Sequence, residues 1–424
     1  MPKEVRLENG LRVVVDEMPH MESVSIGVWC GVGGRHEMKR VCGISHFLEH
    51  IVFKGSESYT CRQIKEGIEG VGGALNGFTG EEYTCFLAKV PHEHLQDVFA
   101  ILADMVQHPR IEKEDVEKER LVILEEIKMY KDLPSHYVHD LLSGVLWPKQ
   151  PLGRPLTGDE KSMHDISGKD LRDYRNKFYA PSNLAVVACG GVNMDDLAEK
   201  AEKIFASKAK SRKAVQHKPA DTAQKKPRIL INSKSTEQTH LALGFHSPSR
   251  FDEDSYIAGL VNIVMGANMS SRLFQEVREA RSLAYEIHSS VKEYNDTGAF
   301  VISAGIDNKN VVRAIEVVVA QLKKIKRAHV SKDEFRRAKD FYRGQLRMAL
   351  EDTLSRMLWL GEKIISKEKI SLSHQVLDII DRITIEDIMR VANKIFIKRG
   401  ANLALIGPAS DKIRQRLQRS LESI

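Results

Sequence analysis

Residues Ile111–Ile127 read IEKEDVEKERLVILEEI, and residues Val330–Leu346 read VSKDEFRRAKDFYRGQL. The two align without a gap, and both open a helical stretch on K-[ED]-[DE]. Around each lies the same order of elements. Ahead of the first come a strand-like Ser23–Cys30, an apolar segment inside GISHFLEHIVFKG (Gly43–Gly55), a strand region within Gly72–Val90 and a helical Leu95–Gln107. The long helix then runs from about Lys113 to Lys131. Ahead of the second come Thr239–Phe245 as strand, Ile257–Met265 as helix, Phe300–Ala304 as strand and Asn310–Lys324 as helix, with the long helix from about Lys332 to Glu351.

An echo over a whole order of elements implies duplication into two domains of about 200 residues each. Few hairpin signals occur and helices intervene between strands. The expected fold is therefore α+β: two homologous α/β sandwich domains, each a mixed sheet layered with helices on one face. Residues 207–227 (SKAKSRKAVQHKPADTAQKKP) are polar, lysine-rich and without apolar period, and they read as a linker. The expected domains are then 1–206 and 228–424.

Composition excludes several classes. A chain of 424 residues exceeds what one core usually supports. A hydrophobic share of 42%, a charged share of 29% and a net charge of +6 describe a soluble globular protein, with no nucleic-acid or membrane partner demanded. No apolar run approaches the ~20 residues of a membrane span. The start, MPKEVRLENGLRVVV, has no apolar core behind a basic flank and is not acid-poor, so a protein without a leader, or one already processed, is expected. Five scattered cysteines without a CxxC pair suggest reduced thiols. A cytoplasmic, bacterial-type protein is expected.

In HFLEH, His46 and His50 lie four residues apart and share one helix face, so two imidazoles can reach one Zn²⁺. Glu49 stands beside them, placed to take a proton from an activated water. This is the inverted form of the HExxH zinc motif. The bland alternative is a pair of hydrogen-bonded structural histidines. A catalytic zinc needs a third protein ligand. The helix ERLVILEEI offers Glu119 and Glu126, seven apart, and its apolar Leu121–Leu124 run suggests burial. Glu126 as ligand and Glu119 as acceptor from a histidine N–H would satisfy both. In the duplicate, Ala338 and Gln345 replace them, and no histidine lies between Phe251 and Gln275. The fold pattern thus survives without these residues, which favours function for the first set. Cys42, the pair His92 and His94, and the pair His136 and His139 are weaker ligand candidates.

The sequence resembles the pitrilysin/insulysin family of inverted-motif zinc peptidases, in particular its short-chain branch with the mitochondrial processing peptidase. LENGLRVVV, HFLEH, NGFTGEEYT, ERLVILEEI, PLGRPLTG, YAPSNLAVVACGGV and MSSRLFQEVREARSLAYEI carry the likeness nearly end to end. The resemblance implies one zinc per chain on His46, His50 and Glu126, with Glu49 as general base and Glu119 as an auxiliary acid. It implies substrate contacts from Arg278 and Tyr285. It also implies that Asn76, Gly77, Phe78 and Thr79 form a sheet edge that pairs with an extended peptide. The implied activity is metalloendopeptidase cleavage of peptides or unfolded segments inside a dimer chamber. The expected partner is a second copy or a zinc-less homologue, with Arg278 and Tyr285 acting in trans. A catalytically silent assembly subunit of the same fold is the alternative. Glu81-Glu82 beside the edge is open between an acidic substrate contact and a solvated turn.

Overall fold

The computed structural model describes residues 1–206, 217–368, 370 and 372–424; positions 207–216 of the expected linker lie outside them. The first half holds strands β1 (Lys3–Arg6), β2 (Arg12–Glu17), β3 (Ser23–Cys30), β4 (Ala74–Thr79), β5 (Thr84–Pro91) and β6 (Leu184–Gly190). Its helices are α1 (Ile44–Val52), α2 (Cys61–Glu69), α3 (Leu95–Gln107), α4 (Lys113–Asp132), α5 (Pro134–Leu146), α6 (Glu160–Asp165), α7 (Gly168–Phe178) and α8 (Met194–Ile204). The second half holds β7 (Arg228–Asn232), β8 (Gln238–Ser247), β9 (Ala284–Glu293), β10 (Gly298–Asp307) and β11 (Asn402–Ile406). With them come α9 (Ser255–Met265), α10 (Val311–Arg327), α11 (Lys332–Ala349), α12 (Thr353–Ile365), α13 (Ser373–Arg382), α14 (Ile385–Ile395) and α15 (Asp411–Glu422).

Among the described residues, six strands form one sheet in the order β1-β2-β6-β3-β5-β4, and five form another in the order β7-β11-β8-β10-β9. Each has one parallel pair, β2 with β6 and β7 with β11, and is otherwise antiparallel. Removing β1 makes the two orders superimpose strand for strand, so the fold repeats the duplication seen in the sequence. The fold is α+β, with a mixed sheet in each repeat.

The chain forms two compact units, but not as contiguous halves. One comprises Met1–Lys128, Pro155–Lys218 and Arg347–Leu372; the other comprises Met129–Arg154, Pro219–Leu346 and Ser373–Ile424. Each half of the sequence therefore lends a segment to the other unit. This corrects the expectation of helices on one face only. In the first unit, Val24, Ile26 and Val28 of β3 point into a core shared with α1 and α3, while Trp29 points to the opposite face. There it packs with Met357, Leu360 and Ile364 of α12. In the second unit, Phe300, Ile302 and Ile306 of β10 face one core, and Ala299 and Val301 face Val138, Leu142 and Leu146 of α5. A sheet buried on both faces needs two helical layers, and the second layer comes from the lent helix. Burying each of Met357, Leu360 and Ile364 contributes about 1.5–3 kcal/mol.

The docking of α12 on its sheet is tight at one point. A Cβ on Gly361 would lie 2.1 Å from Cε2 of Trp29, which is itself only 1% exposed. Trp29 is hemmed in by Phe78 and Tyr83 and has no space to yield. Gly361→Ala is therefore expected to destabilise the protein by about 1–3 kcal/mol, read as a lower midpoint in urea denaturation. An unchanged midpoint would show that α12 shifts freely over the sheet.

Acid should also weaken the fold. In the second unit, burial and the nearby Lys292 hold His139 down to about 4, and burial with Arg228 nearby does the same for His246. Both folded values lie below the ordinary 6.5, so the unfolded chain binds these protons first. Their stabilisation is complete above about pH 6.5 and is lost as pH falls toward 4. Each contributes on the order of 1–3 kcal/mol. Urea midpoints should fall between pH 7 and pH 5, and His246→Leu should flatten that slope. Among the described residues, no helix is long and apolar enough to cross a membrane.

Candidate metal centre

Helix α1 carries the centre, and its start is built with care. Gly43 adopts φ +88°, where a Cβ would also strike Thr157 O at 2.6 Å. The buried carboxylate of Glu37 accepts from the free N–H groups of Gly43 (2.6 Å) and Ser45 (2.9 Å). A negative charge there satisfies orphan donors and complements the helix dipole. Ile44, Phe47, Leu48, Ile51 and Val52 enter the core, which leaves His46, Glu49 and His50 half-buried on the other side.

Across from α1 runs α4. Its inward residues are Val116, Glu119, Arg120, Ile123, Leu124 and Ile127. The expectation that the whole Leu121–Leu124 run is buried is corrected here: Leu121 is 65% exposed and Val122 49%, because a period of 3.6 turns only one side of a helix to the core. Glu119 and Glu126 face α1, as their spacing requires.

His46, His50 and Glu126 form the group among the described residues that can hold a metal ion, with one donor atom of each within 4.8 Å of the others. Glu126 Oε2 is 3.7 Å from His46 Nε2 and 3.5 Å from His50 Nε2. Three donors about 2.0–2.1 Å from a tetrahedral zinc would be ~3.4 Å apart, so the opening is close to that size. Two atoms there are buried without a hydrogen-bond partner, Glu126 Oε2 and His46 Nδ1. An unpaired buried carboxylate oxygen between two imidazoles is costly unless a cation fills the gap. The donor set fits a metal.

Protonation points the same way. Burial, aided by the neighbouring His50, pulls His46 down to about 4, so its ring is neutral and its lone pair free at pH 7. The His50 ring 3.5 Å away holds the Glu126 carboxyl below its ordinary value. Burial pulls His50 down, but the neighbouring carboxylates of Glu126 and Glu119 together outweigh that and raise it. Glu119 Oε2 is 3.2 Å from His50 Nδ1.

Glu49 is half-buried beside these donors. Burial raises its carboxyl above the ordinary value, against the opposing hydrogen bond from Thr79. Thr79 Oγ1 donates to Glu49 Oε2 at 2.7 Å and fixes the carboxylate. Thr79 lies on β4, which among the described residues pairs only with β5 and is the edge of its sheet. A Cβ at Gly77 on that strand would be 3.3 Å from Glu49 Oε1 and 3.0 Å from Phe53, so glycine lets the edge run close to the centre. Asn76, Gly77, Phe78 and Thr79 all sit on this edge.

Arg278 and Tyr285 belong to the other compact unit. They adjoin one another, with the guanidinium 5.6 Å from the Tyr285 ring, and Tyr285 is 77% exposed. Glu82 is neither a free acidic contact nor a solvated turn: it is buried and accepts from Arg35 Nη1 at 2.6 Å. Sequence reading missed Glu37 and Lys54. The only signal for Glu37 is an acidic residue ahead of a helix start, and for Lys54 a cation just beyond the helix end.

Residues 12–160 match the family described as insulinase, peptidase family M16, and residues 165–342 match the peptidase M16 inactive domain. His46, Glu49, His50, Glu119 and Glu126 all fall in the first segment. The "Uncharacterized zinc protease YmxG" of Bacillus subtilis is 36% identical over 412 residues, covering 97% of this chain and 99% of that one. A zinc protease of Streptomyces coelicolor is 32% identical over 421 residues, covering 98% and 91%. The crystal structure of a protease from Helicobacter pylori has a TM-score of 0.91 at 22% identity, covering 96% of this chain and 99% of that one; at that identity the likeness is one of fold. With relatives above 30% identity over nearly its whole length, the chain belongs to the insulinase family, peptidase family M16.

Proposed function

We propose that the protein is a zinc metalloendopeptidase acting on peptides and unfolded segments, with one zinc held by His46, His50 and Glu126. The observation that carries this reading is the unpaired buried Oε2 of Glu126 between two imidazoles, with a second carboxylate beside them. Zinc in such a site supplies Lewis acidity toward a carbonyl and activation of water. Glu49 is the general base: with Oε2 held by Thr79, Oε1 is left to accept a proton and pass it to the leaving amine. Its raised carboxyl makes the returned proton easier to carry near neutrality. The edge of β4 binds the substrate as an added strand through backbone hydrogen bonds, which favours extended chains over folded ones.

In the same reading, Arg278 and Tyr285 donate hydrogen bonds to the substrate backbone and the oxyanion, supplied in trans by a second copy in a dimer. The second reading, a catalytically silent subunit, is favoured by the match of residues 165–342 to an inactive domain. The test is hydrolysis of unstructured peptides by purified protein, with bound zinc quantified and chelation as control. Cleavage that is lost on chelation and restored by zinc supports the peptidase. Stoichiometric zinc without cleavage of any peptide supports the silent subunit.

A further inference from the structure

Glu119 is 5% exposed, and both of its carboxylate oxygens are engaged. Oε2 faces His50 Nδ1 at 3.2 Å, and Oε1 is in direct contact with the ammonium of Lys54. Among the described residues it has no other polar partner. We propose that Lys54 is a positioning residue of the metal centre: it pins one oxygen of Glu119, so that the other receives the His50 Nδ1 proton and Nε2 is left for the metal. The inference rests on the zinc reading above and deepens it.

The backbone puts Lys54 there by design of the turn that ends α1. Phe53 N donates to His50 O at 3.3 Å, and Lys54 N donates to Ile51 O at 2.9 Å. Gly55 follows at φ +138°, a conformation that side chains resist, and its carbonyl accepts from Arg110 N at 2.9 Å. The chain therefore leaves the helix at a fixed angle, with Lys54 beside α4. Charge supplies the reason for a cation. Glu49, Glu119 and Glu126 bring three carboxylates into one half-buried region, and a divalent ion balances two. Lys54 balances the third, on the carboxylate that does not touch the metal. Removing it would leave a buried carboxylate with one partner, free to turn away from His50. Orienting partners of this kind fix both the tautomer and the ring direction of a ligating histidine.

Zinc affinities of the apoprotein, measured by competition with a chromophoric chelator, test this without reference to activity. Lys54→Met and Lys54→Gln should each weaken zinc binding roughly 10–100-fold, and Lys54→Arg should retain most of it. Glu119→Gln should weaken it as well, and Lys54→Met combined with Glu119→Gln should bind no worse than Glu119→Gln alone. Wild-type affinity in Lys54→Met, or losses that multiply in the double variant, overturns the proposal. Imidazole nitrogen NMR of the zinc-loaded wild type tests it without any variant: His50 should carry its proton on Nδ1, and a proton on Nε2 overturns it. Wild type that takes up no zinc removes the metal reading and this inference together. Wild type that binds zinc while Lys54→Met binds equally removes only this one.

Discussion

Glu49→Gln should lower peptide hydrolysis by roughly 10²–10⁴-fold while leaving one zinc per chain. Glutamine keeps the shape and can still meet Thr79, so α1 and its histidines stay in place. What it cannot do is accept a proton. The effect should therefore fall on kcat far more than on KM, since Glu49 is not needed to bind a peptide along β4. Loss of zinc together with activity would mean that Glu49 is part of the ligand set. Retained activity would mean that another group is the base. In the wild type, the acid limb of the pH–activity profile should follow the carboxyl of Glu49, which burial raises above its ordinary value before any metal is bound. Protonated Glu49 is inactive as a base, so activity is present above its raised value and lost as pH falls through it.

Glu126→Ala has the second large expected effect. Structural zinc sites with four donors bind with about 10–16 kcal/mol, so one donor is worth roughly 2.5–4 kcal/mol and its loss roughly 70- to 1,000-fold in affinity. Removing Glu126 should abolish stoichiometric zinc at micromolar protein and zinc concentrations, and cleavage with it. The same substitution has a signature that needs no metal. His50 in the apoprotein is raised because the neighbouring carboxylates of Glu126 and Glu119 outweigh burial, so without Glu126 its titration should move down. Imidazole NMR across pH 5–8 would show this. Unchanged zinc binding in Glu126→Ala would force another third ligand, and an unmoved His50 would mean that Glu119 alone sets its value.

The geometry explains why the chemistry is gathered on one unit. The duplicate helix α11 has Ala338 and Gln345 where α4 has Glu119 and Glu126, and Ala338 is simply buried in its core. The two units carry separate sheets of the same strand order once β1 is set aside, so the scaffold does not require these carboxylates. Buried carboxylates are costly, and Glu119 and Glu126 occur on only one of the two helices, which is the pattern the proposed metal centre calls for.

By itself the sequence determined the repeated order of elements, because strand and helix periods are local, and it determined which side chains of the candidate centre share a helix face. A spacing of four from His46 to His50, and of seven from Glu119 to Glu126, is a distance along a helix, and a helix turns such spacings into shared faces whatever surrounds it. Only the tertiary structure decided the rest. That α5 and α12 cover the sheets of opposite halves depends on contacts more than a hundred residues apart, such as Gly361 against Trp29. That Leu121 and Val122 face outward while Leu124 faces inward depends on which side of α4 meets the core. Glu82 is claimed by Arg35 across 47 positions, and Lys54 meets Glu119 only because a turn at Gly55 ends the helix where α4 passes. Period is written into neighbouring residues, whereas the partner of a buried charge is set by what the folded chain brings beside it.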